Sequence, residues 1–307
     1  MEIRVLQYFL KIAELENITK AAEALHITQP ALSRQLSELE EELGTKLFLR
    51  GKRKTVLTED GQLLQTRARE IASLIHKTKD EIKHGENQIS GSIRIGCAET
   101  RGMQYLLHLQ KELLDAHPHL CCHLYDGNDE DVMEKLDKGL LDFGVLSSPS
   151  HLRHYEFLRL PHQDYWCLLM RKDDPLAKKN ILSPQDLWSI PLILSRQALE
   201  SGEISHLLQK EISSLYITGT YNLIFNASIM VEEGIGYAIA YEHLVHTGND
   251  APLTFRPIAP RHPADTYFIW KQNQIFSPAT KLLKTKVEEQ VKQEKQVSEG
   301  SQGKVGS

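Results

Sequence analysis

Residues 18–37 read Ile-Thr-Lys-Ala-Ala-Glu-Ala-Leu-His-Ile-Thr-Gln-Pro-Ala-Leu-Ser-Arg-Gln-Leu-Ser. They hold two short helical patterns joined by a tight corner. Thr19 can cap the first, and Ala21, Ala22 and Leu25 form its inward face. His26 and Ile27 make the corner, with Ile27 as an apolar plug. Thr28 caps the second pattern, and Pro30 falls in its first turn, where a missing N–H costs nothing. Leu32, Leu36, Leu39 and Leu43 recur at spacings of four, three and four, which is one buried stripe. Gly44 ends the helix. Gln29, Pro30, Ser33, Arg34 and Ser37 then point away from the stripe. Gln pairs bidentately with adenine and Arg with guanine in the DNA major groove, while Thr28 and Ser33 hydroxyls reach base edges or phosphates.

The flanks extend this unit to residues 1–58. Phe9, Ile12 and Ala13 give a preceding helix its apolar face. After the stripe come two β-like runs, 47–50 and 56–58, around the basic turn Gly51-Lys52-Arg53-Lys54, the pattern of a wing. The window 46–58 carries five basic residues and no Asp or Glu, although the whole chain has a formal net charge of −5. Arg50, Lys52, Arg53 and Lys54 are the expected phosphate and minor-groove contacts.

Residues 59–90 are expected to form one long helix capped by Thr58, with Glu59 and Asp60 at its positive end. Leu64 and Ile71 lie seven apart, as do Ala68, Ile75 and Ile82, offset by four. This heptad seam fits a partner helix, so these five residues are the expected dimerisation contacts.

From residue 91 strands alternate with helices, which predicts an α/β domain with a mostly parallel sheet. The expected fold class is therefore α+β multidomain. The effector domain is placed at 91–292, with one subdomain at 91–162 and 265–292 and a second at 163–264. A disordered tail is expected at 293–307.

At this point the residues resemble a known family, the LysR-type transcriptional regulators. The match is densest at Ala21-Ala22, Gln29 to Ser33, Leu36, Leu39, Glu40 and Leu43-Gly44. It continues through Leu47-Phe48, Arg50, Arg53, Leu57-Thr58 and Gly61. Further along, Leu140 to Gly144, Asp174 to Ala177 and Val231 to Gly236 resemble effector-domain signatures. Asp174 stands where His is usual, and Tyr241 where many members carry Pro. The resemblance implies a winged helix-turn-helix, a dimerising linker helix and a periplasmic-binding-protein-like (type II) domain. It also implies a homodimer or homotetramer that binds double-stranded DNA at an interrupted palindrome, contacts RNA polymerase and responds to a small effector.

In open α/β sheets ligands sit at the carboxyl ends of strands. Those ends offer Thr100, Arg101, Asn128, Ser147, Ser148, Ser195 and Arg196, with helix N-termini beside Thr100 and Asn128. Helix N-termini favour anions, so the expected effector is a small carboxylate or other anion.

Other readings are weaker. The cysteines Cys97, Cys121, Cys122 and Cys167 have no Cys-x-x-Cys spacing, and Cys122 reads as a strand core position. His117, His119 and His123, like His151, His154 and His162, lack the Cys or carboxylate support of a metal site. Gly234-Ile235-Gly236 lacks the third Gly of a dinucleotide loop. No nucleophile elbow is present, so neither an enzyme nor a cofactor is expected. No apolar run is long enough to span a membrane, and a cytoplasmic location is expected. The alternative reading is a solute-binding or protein-interaction module that no longer binds DNA.

Overall fold

The computed structural model describes residues 1–50, 54–82, 89–147 and 152–302. It divides into two compact units, residues 1–83 and 84–307.

In the first unit, α1 (Ile3–Leu15), α2 (Ile18–Ala24) and α3 (Gln29–Leu43) precede a hairpin of β1 (Phe48–Arg50) and β2 (Thr55–Leu57). The long helix α4 (Glu59–Ile82) follows. The cap of α2 is Asn17, not Thr19: its side chain accepts from the Lys20 amide at 3.0 Å. Thr28 caps α3 as expected, accepting from the Ala31 amide at 3.4 Å. Leu32, Leu36 and Leu39 are buried with Leu6, Phe9, Ile12 and Phe48. Leu43, the last member of the stripe, is 41% exposed. The Phe9 and Phe48 rings meet at 5.2 Å and tie the wing to α1.

The start of the wing is held by Glu40, which is buried although charged. Its carboxylate accepts from the Leu47 amide at 3.0 Å, the Phe48 amide at 3.4 Å and the Lys46 ammonium at 2.7 Å. Burial pushes its pKa up, but the Lys46 bond and charge and the two amides outweigh this, and the carboxyl ends below its ordinary range. On the other side, Thr58 accepts from the Gly61 amide at 3.0 Å. A Cβ at residue 61 would lie 2.1 Å from the Leu47 carbonyl oxygen, so only glycine lets α4 approach the wing this closely.

The seam of α4 divides. Ala68 is buried in the core of its own unit, and Leu64 and Ile71 pack against that core. Ala68 is fully covered within its own unit, whereas Leu64 and Ile71 stay half-buried. Ile82, by contrast, is 77% exposed. Helix α1 packs on α4 in the same core.

The second unit is built on one sheet, ordered β4-β3-β5-β11-β6-β9-β7-β8, with β10 also on β6. Its first lobe holds β3 (Gly91–Cys97), α5 (Met103–Ala116), β4 (Leu120–Asp126), α6 (Asp129–Asp137), β5 (Phe143–Ser147), β11 (Pro263–Lys271) and α10 (Pro278–Gln302). The second holds β7 (Leu192–Ser195), α7 (Arg196–Glu200), α8 (Glu203–Leu208), β8 (Ile217–Tyr221), α9 (Ile224–Glu232), β9 (Tyr237–Tyr241) and β10 (Leu253–Pro257). Strand β6 (Tyr155–Arg171) belongs to both: residues up to Tyr165 pair with β11, and Trp166 onward with β9. At 17 residues it is long enough to serve both lobes. The parallel strands are β3 with β4 and β5, and β7 with β8 and β9, whereas β6, β10 and β11 run antiparallel.

Two signature residues find local roles. Asp142 accepts from the Arg94 amide at 2.7 Å. Asp174 accepts from the Leu176 amide at 2.8 Å and from the Tyr237 hydroxyl at 2.6 Å, work that an aspartate does in place of the usual histidine. Cys122 is only half-buried, because β4 is an edge strand. The expected tail is helical as far as Gln302, since Lys, Glu and Gln continue a helix once it has formed. Residues 303–307 lie outside the described residues.

Glu40→Ala leaves two buried amides without an acceptor. It is expected to cost about 2–3 kcal/mol in urea unfolding of the first unit at neutral pH. The contribution of Glu40 itself should fade as pH falls through its lowered pKa.

Candidate functional site

The first candidate surface is the outer face of α3. Thr28, Gln29, Pro30, Arg34 and Ser37 are exposed and Ser33 is half-exposed, all opposite the buried leucines. The Arg34 side chain is 80% exposed, and its Nε donates to Glu38 Oε1 at 2.8 Å. An i,i+4 pair this exposed is worth a few tenths of a kcal/mol, so base edges or phosphates compete with it readily. The Ser37 hydroxyl donates to the Ser33 carbonyl at 3.0 Å, one turn back. On the wing, Lys54 pairs with Glu16 and Lys46 with Glu40. Lys52, Arg53 and the Arg50 side chain lie outside the described residues.

The second candidate is the cleft between the lobes, a cavity of about 60 Å³. Of the expected effector residues, Asn128, Ser147 and Ser195 line it. Asn128 caps α6, accepting from the Asp131 amide at 2.8 Å, and Ser195 caps α7, accepting from the Ala198 amide at 3.4 Å. Ser147 donates to the Tyr241 hydroxyl at 3.1 Å, across the cleft. Arg196 is exposed and absent from the lining, and Ser148 lies outside the described residues.

Thr100 and Arg101 do not line this cavity but an adjoining pocket of about 300 Å³, which shares Ala98, Glu99 and Leu244 with it. Thr100 is 6% exposed, donates to Asp164, accepts from the Gly102 amide at 2.9 Å and lies 3.1 Å from Thr266 Oγ1. The Arg101 amide donates to Asp164 Oδ1 at 3.3 Å, while its guanidinium points outward to Gln104 at 2.8 Å. His162 Nε2 is 3.0 Å from the same Asp164 oxygen. The N-terminal end of α5 is therefore already occupied by an anion belonging to the protein. The same holds across the cleft: the Ile224 amide, at the start of α9, donates to Glu99 Oε2 at 2.5 Å. The Asp129 amide, at the start of α6, donates to Gln197 Oε1 at 3.0 Å.

The remaining lining includes Glu99, Gln197, Glu203 and the rings of Trp166, Tyr221 and Tyr241. Among the described lining residues there is no Lys, Arg or His. The expected anion therefore meets an acidic cleft. Sequence reasoning missed Glu99, Gln197 and Glu203 because nothing in their local pattern separates them from solvated helix-end residues. Burial raises the carboxyl pKa of Glu99, the Ile224 amide opposes this, and the Asp126 charge adds to it. Burial also raises Glu203, against a bond from Ser201. Asp129 is pushed up to about 7 by burial, against the Gln197 bond and with the Glu203 charge.

Residues 3–62 match the bacterial regulatory helix-turn-helix of the lysR family, and residues 86–292 match the LysR substrate binding domain. The chain belongs to the LysR family. It is a LysR-type DNA-binding transcriptional regulator with an effector-binding domain. It is 30% identical over 289 residues to the HTH-type transcriptional regulator BsdA of Bacillus subtilis, covering 91% of this chain and 93% of that one. It is 32% identical over 244 residues to the uncharacterized regulator YvbU of the same organism, covering 79% and 82%. The LysR-family regulator CbnR in complex with its target DNA shares the fold, with a TM-score of 0.73 at 20% identity, covering 95% of this chain and 99% of that chain. A relative at 31% identity over 195 residues, covering 63% of each chain, is the Escherichia coli dual regulator OxyR. Strains of the same species hold a relative named for hydrogen peroxide induction. In this LysR-family chain the Cys97 thiol is pushed up to about 12 by burial and by Asp126, and burial holds Cys167 well above its ordinary value. Peroxide attacks thiolates, so these two thiols are poor targets.

Asp129 has a higher pKa folded than unfolded, so its protonated form supports the fold. That support is complete below the ordinary carboxylate range and is lost as pH rises through about 7. Melting of the wild-type chain is expected at lower temperature at about pH 8 than at about pH 5.5, and Asp129→Asn should flatten the difference.

Proposed function

We infer that this LysR-family regulator works as a homodimer or homotetramer that reads an interrupted palindrome and changes its grip when a small molecule enters the cleft. The observation that carries the reading is the exposed polar face of α3, backed by a closed leucine core. Gln29, Ser33 and Arg34 read base edges, while Thr28, Pro30, Ser37 and the wing set register on the phosphates. With Ala68 covered by its own unit, pairing of two chains falls to the rest of the seam, Leu64, Ile71, Ile75 and Ile82. RNA polymerase contact, a cytoplasmic location and the lack of an enzymatic role belong to the same reading. Among the described residues no helix is long and apolar enough to cross a membrane. The module that no longer binds DNA is disfavoured by the open Arg34 face.

Footprinting and salt titration on the DNA flanking the gene for this chain test it. Arg34→Ala is expected to narrow the gap between operator and random duplex by about 1–3 kcal/mol. Lys54→Ala should weaken both alike and lower the salt slope by about one. Unchanged discrimination in Arg34→Ala would remove it from base readout.

A further inference from the structure

We propose that the effector of this chain is a small organic cation whose ammonium lodges between Glu99 of the first lobe and Glu203 of the second, against the rings of Trp166 and Tyr241. The proposal rests on the reading of the chain as an effector-responsive regulator and names the ligand class for that cleft.

Four observations meet at the cavity. Two half-buried carboxylates from opposite lobes line about 60 Å³ whose described lining holds no Lys, Arg or His, although Arg101 and His243 line an adjoining pocket beside Glu99, and His206 and His262 one beside Glu203. Burial disfavours the anionic form of each, and a bound cation offsets this for both. Secondly, Asp129 is 8% exposed, and its Oδ1 has no hydrogen-bond partner among the described residues. Its amide meets Gln197, and Gln197, Ser147 and Glu203 around it all line the cavity or act on its charge. A buried carboxylate oxygen without a donor is costly, so Asp129 adds to the acidic character beside the cavity. Thirdly, the Trp166 and Tyr241 rings lie 4.2 Å apart and line the same cavity, and aromatic faces attract ammonium groups. Fourthly, the helix N-termini that would draw an anion are filled by Asp164, Glu99 and Gln197.

A metal ion fits less well: no three His, Cys, Asp or Glu among the described residues converge to hold one. An ammonium needs only the two carboxylates that line the cavity, Glu99 and Glu203, with the aromatic faces beside them. Because Glu99 and Glu203 belong to different lobes, a cation between them draws the lobes together about β6. The raised pKa values of all three carboxyls follow from the same geometry and predict that binding releases protons.

The test is calorimetry on the full-length chain with ethylammonium and 1,4-diaminobutane as probes, and propionate and benzoate as counter-probes. The amines are expected to bind, with affinity rising with pH and proton release visible in buffers of different ionisation enthalpy. Glu203→Gln and Glu99→Gln should each weaken binding by about tenfold or more. Glu99 also caps α9, so Glu203→Gln is the cleaner variant, and retained duplex binding checks that it folds. Silence of both amines up to about 10 mM overturns the proposal. So does carboxylate binding with proton uptake, or amine binding unchanged in Glu203→Gln. Each of those outcomes leaves the regulator reading intact if the wild-type chain holds duplex with a steep salt dependence. Loss of that dependence would instead strike the regulator reading itself.

Discussion

The second unit depends on one strand that satisfies its backbone in two places. Up to Tyr165, β6 hydrogen-bonds with β11, and from Trp166 it bonds with β9 and β10. A strand that must keep its amides paired cannot leave either lobe, so the lobes move only by bending where the partner changes. Asp164 and Trp166 flank that point, and alternation along the strand puts them on the same face. Asp164 closes the start of α5, and Trp166 lines the cleft. The change of partner and the cleft thus meet on adjacent residues of one strand.

The electrostatics of the cleft follow from this arrangement. Closing the lobes brings the start of α9 to Glu99 and the start of α6 to Gln197. Helix ends that would bind an external anion are satisfied internally, and Glu99 and Glu203 are left lining a cavity with no basic side chain in its described lining. Protonation is one remedy and a cation is another. The same logic runs the other way in the first unit. There Glu40 is buried beside an ammonium and two amides, and it stays ionised as a strut of the wing.

The reading head was legible because its signals are local. A capping threonine, a first-turn proline, a leucine stripe and a terminal glycine act within a few residues of one another, and Thr28, Leu32 and Gly44 behave as their types require. Where a signal competes with a neighbour, the reading slipped by a turn or a few residues. Asn17 displaced Thr19 as a cap, and α10 ran on past Lys292. The heptads of α4 identified an apolar face correctly but not what covers it, since α1 and a partner helix present the same chemistry.

The sequence by itself determined the family, the order of strands and helices, and which side of α3 faces outward, because each depends on periodicity and capping along the chain. Only the tertiary structure decided that Thr100 answers to Asp164, that Ala68 is buried at home, and that Glu99 and Glu203 share a cavity. Those facts join residues tens to more than a hundred positions apart. Charge and burial at such a meeting are properties of the packed lobes, and no local pattern carries them.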